Sequence, residues 1–297
     1  MGDARPSRVA GCPLTSRARP DCHQGRGLRQ SGMPLIEIER RDAVAIVRFN
    51  NPPKGYMNAA MVGELDAAVD GLLADAAVRV LVFTGALKGV FIEHYDVSEL
   101  LAMSAKLRAK GATFSLDRPS PESAYHRILT RLEAAPKPVI AAINGTAMGG
   151  GFEFCMACDI RLAERGPYWL GQPEINIGIL AGAGGTQRLV RLVGEARALE
   201  LSLLGRTVSP DEAASLGMVH AAVDGPVLDH AMTMAERLAA QPPRAVAHIK
   251  RLVRSATETP LSQGLAHERT LFMDLAVSDD GHRLMGEFVA GSRSIRD

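Results

Sequence analysis

One juncture constrains this chain more than any other. Pro138–Ala147 (PVIAAINGTA) is an apolar, β-branched run that stops at Gly149-Gly150-Gly151, where an apolar helical segment, Phe152–Cys158, begins at once. A strand that passes through glycines into a helix is half of a βαβ unit, and parallel strands require such crossovers. The same alternation recurs around it. Leu35–Glu39 and Val44–Phe49 predict a hairpin. Asn58–Leu73 has helical spacing through Met61, Leu65, Ala68, Val69 and Leu72. Val78–Thr84 predicts a strand, Asp96–Lys110 and Tyr125–Ala134 helices, and Asp159–Ala163 a short strand. Beyond residue 195 the pattern changes. Gly194–Leu204, Ser209–Leu216, Leu228–Ala240, Pro243–Thr257, Leu261–Val277 and Asp279–Val289 all read as helices, with only Met218–Val223 extended. The expected fold class is α/β, with a core over residues 33–195. A helical region over 196–297 should pack back on that core or on other subunits.

Composition narrows the function classes. Of 297 residues, 46% are hydrophobic and 23% charged, so the chain has the apolar content to bury a core. No window approaches 18 uninterrupted apolar residues, so no spanning helix is expected. A net charge of +1 does not suggest a nucleic-acid surface. Charge is uneven, however. Residues 1–32 hold six Arg and two Asp, with much Gly and Pro and no apolar period. They read as a disordered leader, open to three explanations: an upstream start before Met33, a solvated tail, or an organelle-targeting peptide. With no secretory segment, the expected compartment is the cytoplasm. Cys155 and Cys158 form a CxxC inside an apolar helix. Without a second pair, buried free thiols fit better than zinc or redox chemistry. The eight His form no HxxxH or HExxH pattern, so no metal is expected.

Two carboxylates stand out by their surroundings. Glu153 lies in GFEFCMAC and Glu174 in WLGQPEINIG, both among apolar residues where an unpaired charge is expensive. A second glycine turn, Ala181–Gly185, follows Glu174 and opens another helix. Glycine turns at helix N-termini bring backbone amides close to a phosphate or an oxyanion. Two carboxylates beside such turns can move protons near a stabilised oxyanion. The alternative for either Glu is a helix cap or a core ion pair with Arg161 or Arg188, and for the glycines, close helix–strand packing.

On these residues, and along Lys137–Val219 as a whole, the sequence resembles the enoyl-CoA hydratase/isomerase family, the crotonase superfamily. The resemblance extends over roughly Leu35–Val289. It implies a spiral of ββα units with a helical C-terminal region, assembled as a homotrimer or a dimer of trimers. It also implies a trans-2-enoyl-CoA hydratase in which Glu153 helps activate the attacking water and Glu174 delivers a proton to C2. Family isomerases typically lack the first of these carboxylates. Two backbone amides would hold the thioester oxygen, one from Gly150 in the Gly149–Gly151 triplet. The other would come from Tyr95, within Phe91-Ile-Glu-His-Tyr-Asp96.

That segment departs from the family pattern, which usually has Gly where His94 stands and a small residue where Tyr95 stands. Either the substrate or reaction is specialised, or the side chains point outward and the amide keeps its role. Gly182 matches an amide that orients the water. Segments holding Lys54 and Met57, and Phe91, His94 and Asp96, match those that wrap the adenine end of coenzyme A, and Phe272 and Phe288 match tail aromatics lining the coenzyme site. Trp169 and Tyr168 read as packing residues. The expected partner is an acyl-CoA thioester, with coenzyme A part of the substrate and no separate cofactor. Neither nucleic acid nor membrane is expected. Other enolate reactions (isomerisation, decarboxylation, hydrolysis) and a weakly catalytic CoA- or RNA-binding role are the alternatives.

Overall fold

The computed structural model describes residues 32–296. The expectations for the leader, with Cys12 and Cys22, lie outside the described residues but for Gly32. The first half runs β1 (Ile36–Arg41), β2 (Val44–Phe49), α1 (Ala59–Ala74), β3 (Val80–Gly85), β4 (Gly89–Ile92), α2 (Val97–Ala109), α3 (Ala124–Ala134), β5 (Val139–Ile143), β6 (Gly145–Met148) and α4 (Gly150–Ala157). It continues with β7 (Ile160–Glu164), β8 (Leu170–Gly171), α5 (Gly185–Val193), α6 (Glu195–Leu203), β9 (Thr207–Val208), α7 (Pro210–Ser215) and β10 (Ala221–Val223). Four helices close it: α8 (Val227–Ala239), α9 (Pro243–Ser255), α10 (Leu261–Ala276) and α11 (Asp279–Val289).

The larger sheet has the order β1-β2-β3-β5-β7-β10. Only the β1–β2 hairpin is antiparallel, with Ile36 opposite Phe49. Strands β2, β3 and β5 are apolar almost throughout because both of their faces are covered. Val44, Ile46, Val80, Val82, Ile140 and Ala142 meet Val227, Ala231 and Ala235 of α8 on one face. The alternate residues, among them Val47, Leu81, Phe83 and Ala141, face α1, α3 and α4 on the other.

A second sheet, β4-β6-β8-β9, corrects the expectation of one strand over Pro138–Ala147. That run is two strands in two sheets. Asn144 divides them: its side chain accepts from Gly85 N at 2.8 Å and donates to the Gly85 and Leu87 carbonyls, so it pairs like a piece of strand. Gly145 follows because a Cβ there would lie 1.9 Å from the backbone of Gly89. Phe49, Phe83, Phe91 and Phe154 pack between the sheets and α4, with neighbouring ring centroids 4.8–6.0 Å apart. That cluster fixes the height of α4 against both sheets. Beyond residue 195, β10 lies within the extended segment expected over Met218–Val223, whereas β9 is unexpected. Trp169, expected to pack, is 54% exposed, while the Tyr168 ring lies against Gly89 and Gly166. No helix among the described residues is long and apolar enough to cross a membrane.

Candidate active site

The glycine triplet begins the site. Gly149 has φ +51°, a conformation that L side chains rarely adopt, and it caps α4. Its N–H donates to Gly171 O at 2.9 Å, and its C=O accepts from Glu153 N at 2.9 Å. The next N–H, that of Gly150, therefore points out of the helix N-terminus. Tyr95 approaches from the other side. A Cβ on Gly150 would lie 3.5 Å from Tyr95 Cβ and 3.9 Å from Tyr95 N. Met57 locks the Tyr95 backbone: Met57 N donates to His94 O at 2.9 Å, and Asp96 N donates to Met57 O at 2.7 Å. The Gly150 and Tyr95 amides have no acceptor among the described residues. Two free N–H groups beside a positive helix end suit an oxyanion.

The two carboxylates flank this pair. Glu153 is 3% exposed, one turn into α4. Its Oε1 accepts from Ala183 N at 2.6 Å and Gly185 N at 2.8 Å, so the second glycine turn cradles a side chain. Burial pushes its pKa up, while these two bonds and the charges of Arg188 and His126 pull it down. Neither expected ion-pair partner pairs with it. Arg161 donates to the Met218 and Cys158 carbonyls. Arg188 forks onto Glu133, with both bonds at 2.7 Å, and donates to Ala183 O at 2.6 Å.

Glu174 opens a single turn of 3₁₀ helix, Glu174–Ile177. A Cβ at Gly149 would lie 3.0 Å from its Oε1, and its buried Oε2 has no hydrogen-bond partner among the described residues. Burial, opposed by its own backbone amide and reinforced by the charge of Glu153, pushes its pKa to about 7. An apolar cavity of about 400 Å³ adjoins it, lined by Ile175, Ile179, Leu180, Val190 and Leu199.

The remaining expected residues divide. Gly182 is exposed in the turn that precedes Ala183. His94 stacks on Tyr56 at 4.3 Å, and Lys54 Nζ lies 5.4 Å from the same ring. The His94 ring donates from Nδ1 to Tyr95 O at 2.7 Å. The Tyr95 hydroxyl reaches Glu99 at 3.1 Å, and burial first, then Glu99, pushes its pKa up to about 12. Asp96 caps α2 through Ser98 N at 2.8 Å. Met57 and Phe91 are fully buried, so their side chains are core groups and only the surrounding segments can meet a ligand. Phe272 and Phe288 are exposed on α10 and α11, and α10 packs mainly against α9 and α11. Cys155 and Cys158 are buried free thiols, and burial raises both pKa values, that of Cys158 to about 12.

Sequence reasoning missed Tyr125, whose hydroxyl donates to Gly150 O at 2.5 Å. It also missed the roles of Arg188 and Glu133, and Gln172, which is buried with neither side-chain amide atom partnered among the described residues. Tyr125, Arg188 and Glu133 depend on partners far away in sequence.

The sequence profile described as Enoyl-CoA hydratase/isomerase matches residues 39–290. The chain is 32% identical over 256 residues to a short-chain-enoyl-CoA hydratase of Clostridium acetobutylicum, covering 86% of this chain and 94% of that one. It is 32% identical over 259 residues to a 2,3-dehydroadipyl-CoA hydratase of Escherichia coli, covering 86% and 96%. The crystal structure of an enoyl-CoA hydratase from Bacillus anthracis superposes with a TM-score of 0.77 at 30% identity, covering 86% of this chain and 96% of that one. One from Thermoplasma volcanium gives 0.75 at 29%, covering 86% and 97%.

Proposed function

The chain belongs to the enoyl-CoA hydratase/isomerase family, and from that premise we propose that it adds water to the double bond of trans-2-enoyl-CoA thioesters. The observation that carries this reading is the placement of Glu153 and Glu174 around two free amides. The Gly150 and Tyr95 N–H groups receive the thioester oxygen, and they bind it more strongly as it becomes enolate-like. Glu153, whose carboxylate accepts two amide bonds that oppose the upward push of burial, takes a proton from water as the C3–O bond forms. Glu174, with a pKa of about 7, carries the proton delivered to C2. Burial raises both pKa values, but Glu153 has two amide donors that stabilise its charged form, whereas Glu174 has only its own. An isomerisation needs one such carboxylate, so the presence of both favours hydration and its reverse.

Coenzyme A arrives with the substrate, and no metal, nicotinamide or flavin is part of this scheme. The apolar cavity beside Glu174 suits an acyl chain. Exposed apolar residues on α9–α11 favour self-assembly, and the proposal is a cytoplasmic homotrimer or dimer of trimers without nucleic-acid or membrane partners. The test is loss of conjugated-thioester absorbance with crotonyl-CoA in wild type, Glu153→Gln and Glu174→Gln. Each variant should lose about 10²- to 10⁴-fold in kcat. Full turnover in either variant would remove that residue from the mechanism. No turnover by folded, CoA-binding wild type on short or long enoyl chains would overturn hydration.

A further inference from the structure

Glycine is the least constrained residue, so a glycine N–H that must aim at one oxygen has to be held from outside. Besides the bonds internal to α4, three bonds hold the backbone around Gly150 among the described residues. The Gly149 N–H donates to Gly171 O at 2.9 Å, and the Gly149 C=O accepts from Glu153 N at 2.9 Å. The third lies on the peptide that follows: Tyr125 Oη donates to Gly150 O at 2.5 Å. Of the three, only this one is supplied by a side chain. The Tyr125 ring also backs the glycine, since a Cβ on Gly150 would lie 3.8 Å from Tyr125 Cε1. The ring is 6% exposed and packs in the core beneath α3 with Ile128, Leu129 and Leu132. Its anchor is therefore rigid.

We propose that Tyr125 is a positioning residue for the oxyanion site: its hydroxyl holds the Gly150–Gly151 peptide so that the Gly150 N–H stays aimed at the thioester oxygen. The proposal rests on the hydratase reading of this site. Burial, and the neighbouring charge of Glu153, keep the phenol protonated, so it acts as a donor and not as an acid or base. It touches no reacting atom in this scheme. Its loss should weaken the hydrogen bonds to the thioester oxygen, most of all as the oxyanion develops, while leaving the rest of the substrate's binding contacts intact.

The experiment uses Tyr125→Phe, which keeps the ring and deletes the hydroxyl. Two quantities are read on the full-length protein. One is the carbon NMR resonance of butanoyl-CoA labelled at its thioester carbonyl, a saturated probe that cannot be hydrated. The other is kcat and KM on crotonyl-CoA, with thermal unfolding measured alongside. Binding to wild type should move the carbonyl resonance downfield, as hydrogen bonding to the oxygen demands. In Tyr125→Phe that shift should shrink and kcat should fall roughly tenfold at unchanged KM. A variant that only melts earlier, with shift and kcat intact, overturns the positioning role while leaving the oxyanion reading standing. A wild-type complex with no shift overturns the oxyanion reading, and the role of Tyr125 with it.

Discussion

The reaction moves one proton within the carboxylate pair. Hydration takes the Glu174 proton to C2 and leaves the water's proton on Glu153, and dehydration runs the same transfers backwards, so the pair carries one proton in either direction. With the Glu174 pKa at about 7, kcat/KM for hydration should fall as pH rises through 7, and kcat/KM for dehydration should fall with it, because no net proton is consumed. Initial rates in both directions across that range check this, and a hydration profile flat through 7 would remove Glu174 as the titrating group. The same shift bears on stability. The native state holds the Glu174 proton more tightly than the unfolded chain, whose ordinary value is 4.5. The stabilisation is complete below 4.5 and is lost as pH rises through 7. Glu174→Gln should therefore flatten the decline of Tm over that window, leaving the part due to Glu153, whose pKa is also raised by burial. Both carboxylates were legible in the sequence because a charge amid apolar residues stands out. Tyr125 was not, because nothing in its local pattern separates a core tyrosine from one bonded to a glycine 25 residues away.

Helix α3 braces the site at both ends, with Tyr125 in its first turn and Glu133 in its last. Glu133 holds Arg188, which holds the carbonyl of Ala183, the residue whose N–H tethers Glu153. Arg188→Gln should free that carbonyl and leave Glu133 only the longer contact to Arg254. The pair is partly exposed, with side chains at 17% and 24%, so the loss should be about 1–3 kcal/mol, below that of a fully buried pair. Glu153 is faced by Tyr125 and His126 from α3, by Arg188 from α5 and by Glu174. Removing the Arg188 charge should raise its pKa, so the acid limb of kcat/KM should move to higher pH. Arg254→Gln is the comparison, since Arg254 meets the same Glu133 at 3.6 Å and Asp159 at 2.8 Å without bonding to the Ala183 peptide. Urea unfolding should show both variants weakened, while only Arg188→Gln moves the pH profile. An equal movement in both would assign the effect to general destabilisation. The longer helices were legible because their apolar period runs for three turns or more. The smaller sheet was not, since strands of two to four residues are too short to show alternation, and Asn144 splits one apolar run invisibly.

At the scale of the whole molecule, the last three helices pose a problem that one chain does not solve. Helices α9, α10 and α11 have no fully buried residue. Along α10, Leu261, Leu265 and Phe272 form one stripe at helical spacing and are 77%, 43% and 65% exposed. Val253 on α9 and Val289 on α11 add to the apolar surface. What holds α9 to the rest is polar: Lys250 and Arg254 reach Asp159, and Lys250 also caps the Leu132 and Lys137 carbonyls. A helical region fixed by ion pairs on one side and apolar on the other suits a face that meets another copy. The sequence disclosed these helices through their period, but period alone does not say whether an apolar stripe meets its own core or a second chain. The doubly charged variant Leu265→Glu with Phe272→Glu separates the two. If the stripe is an interface, sedimentation should show wild type at a multiple of 31.7 kDa and the variant at a single chain, with helical content preserved. A wild type that sediments as one chain would refute self-assembly. A variant that keeps the wild-type mass would place the contact on another surface.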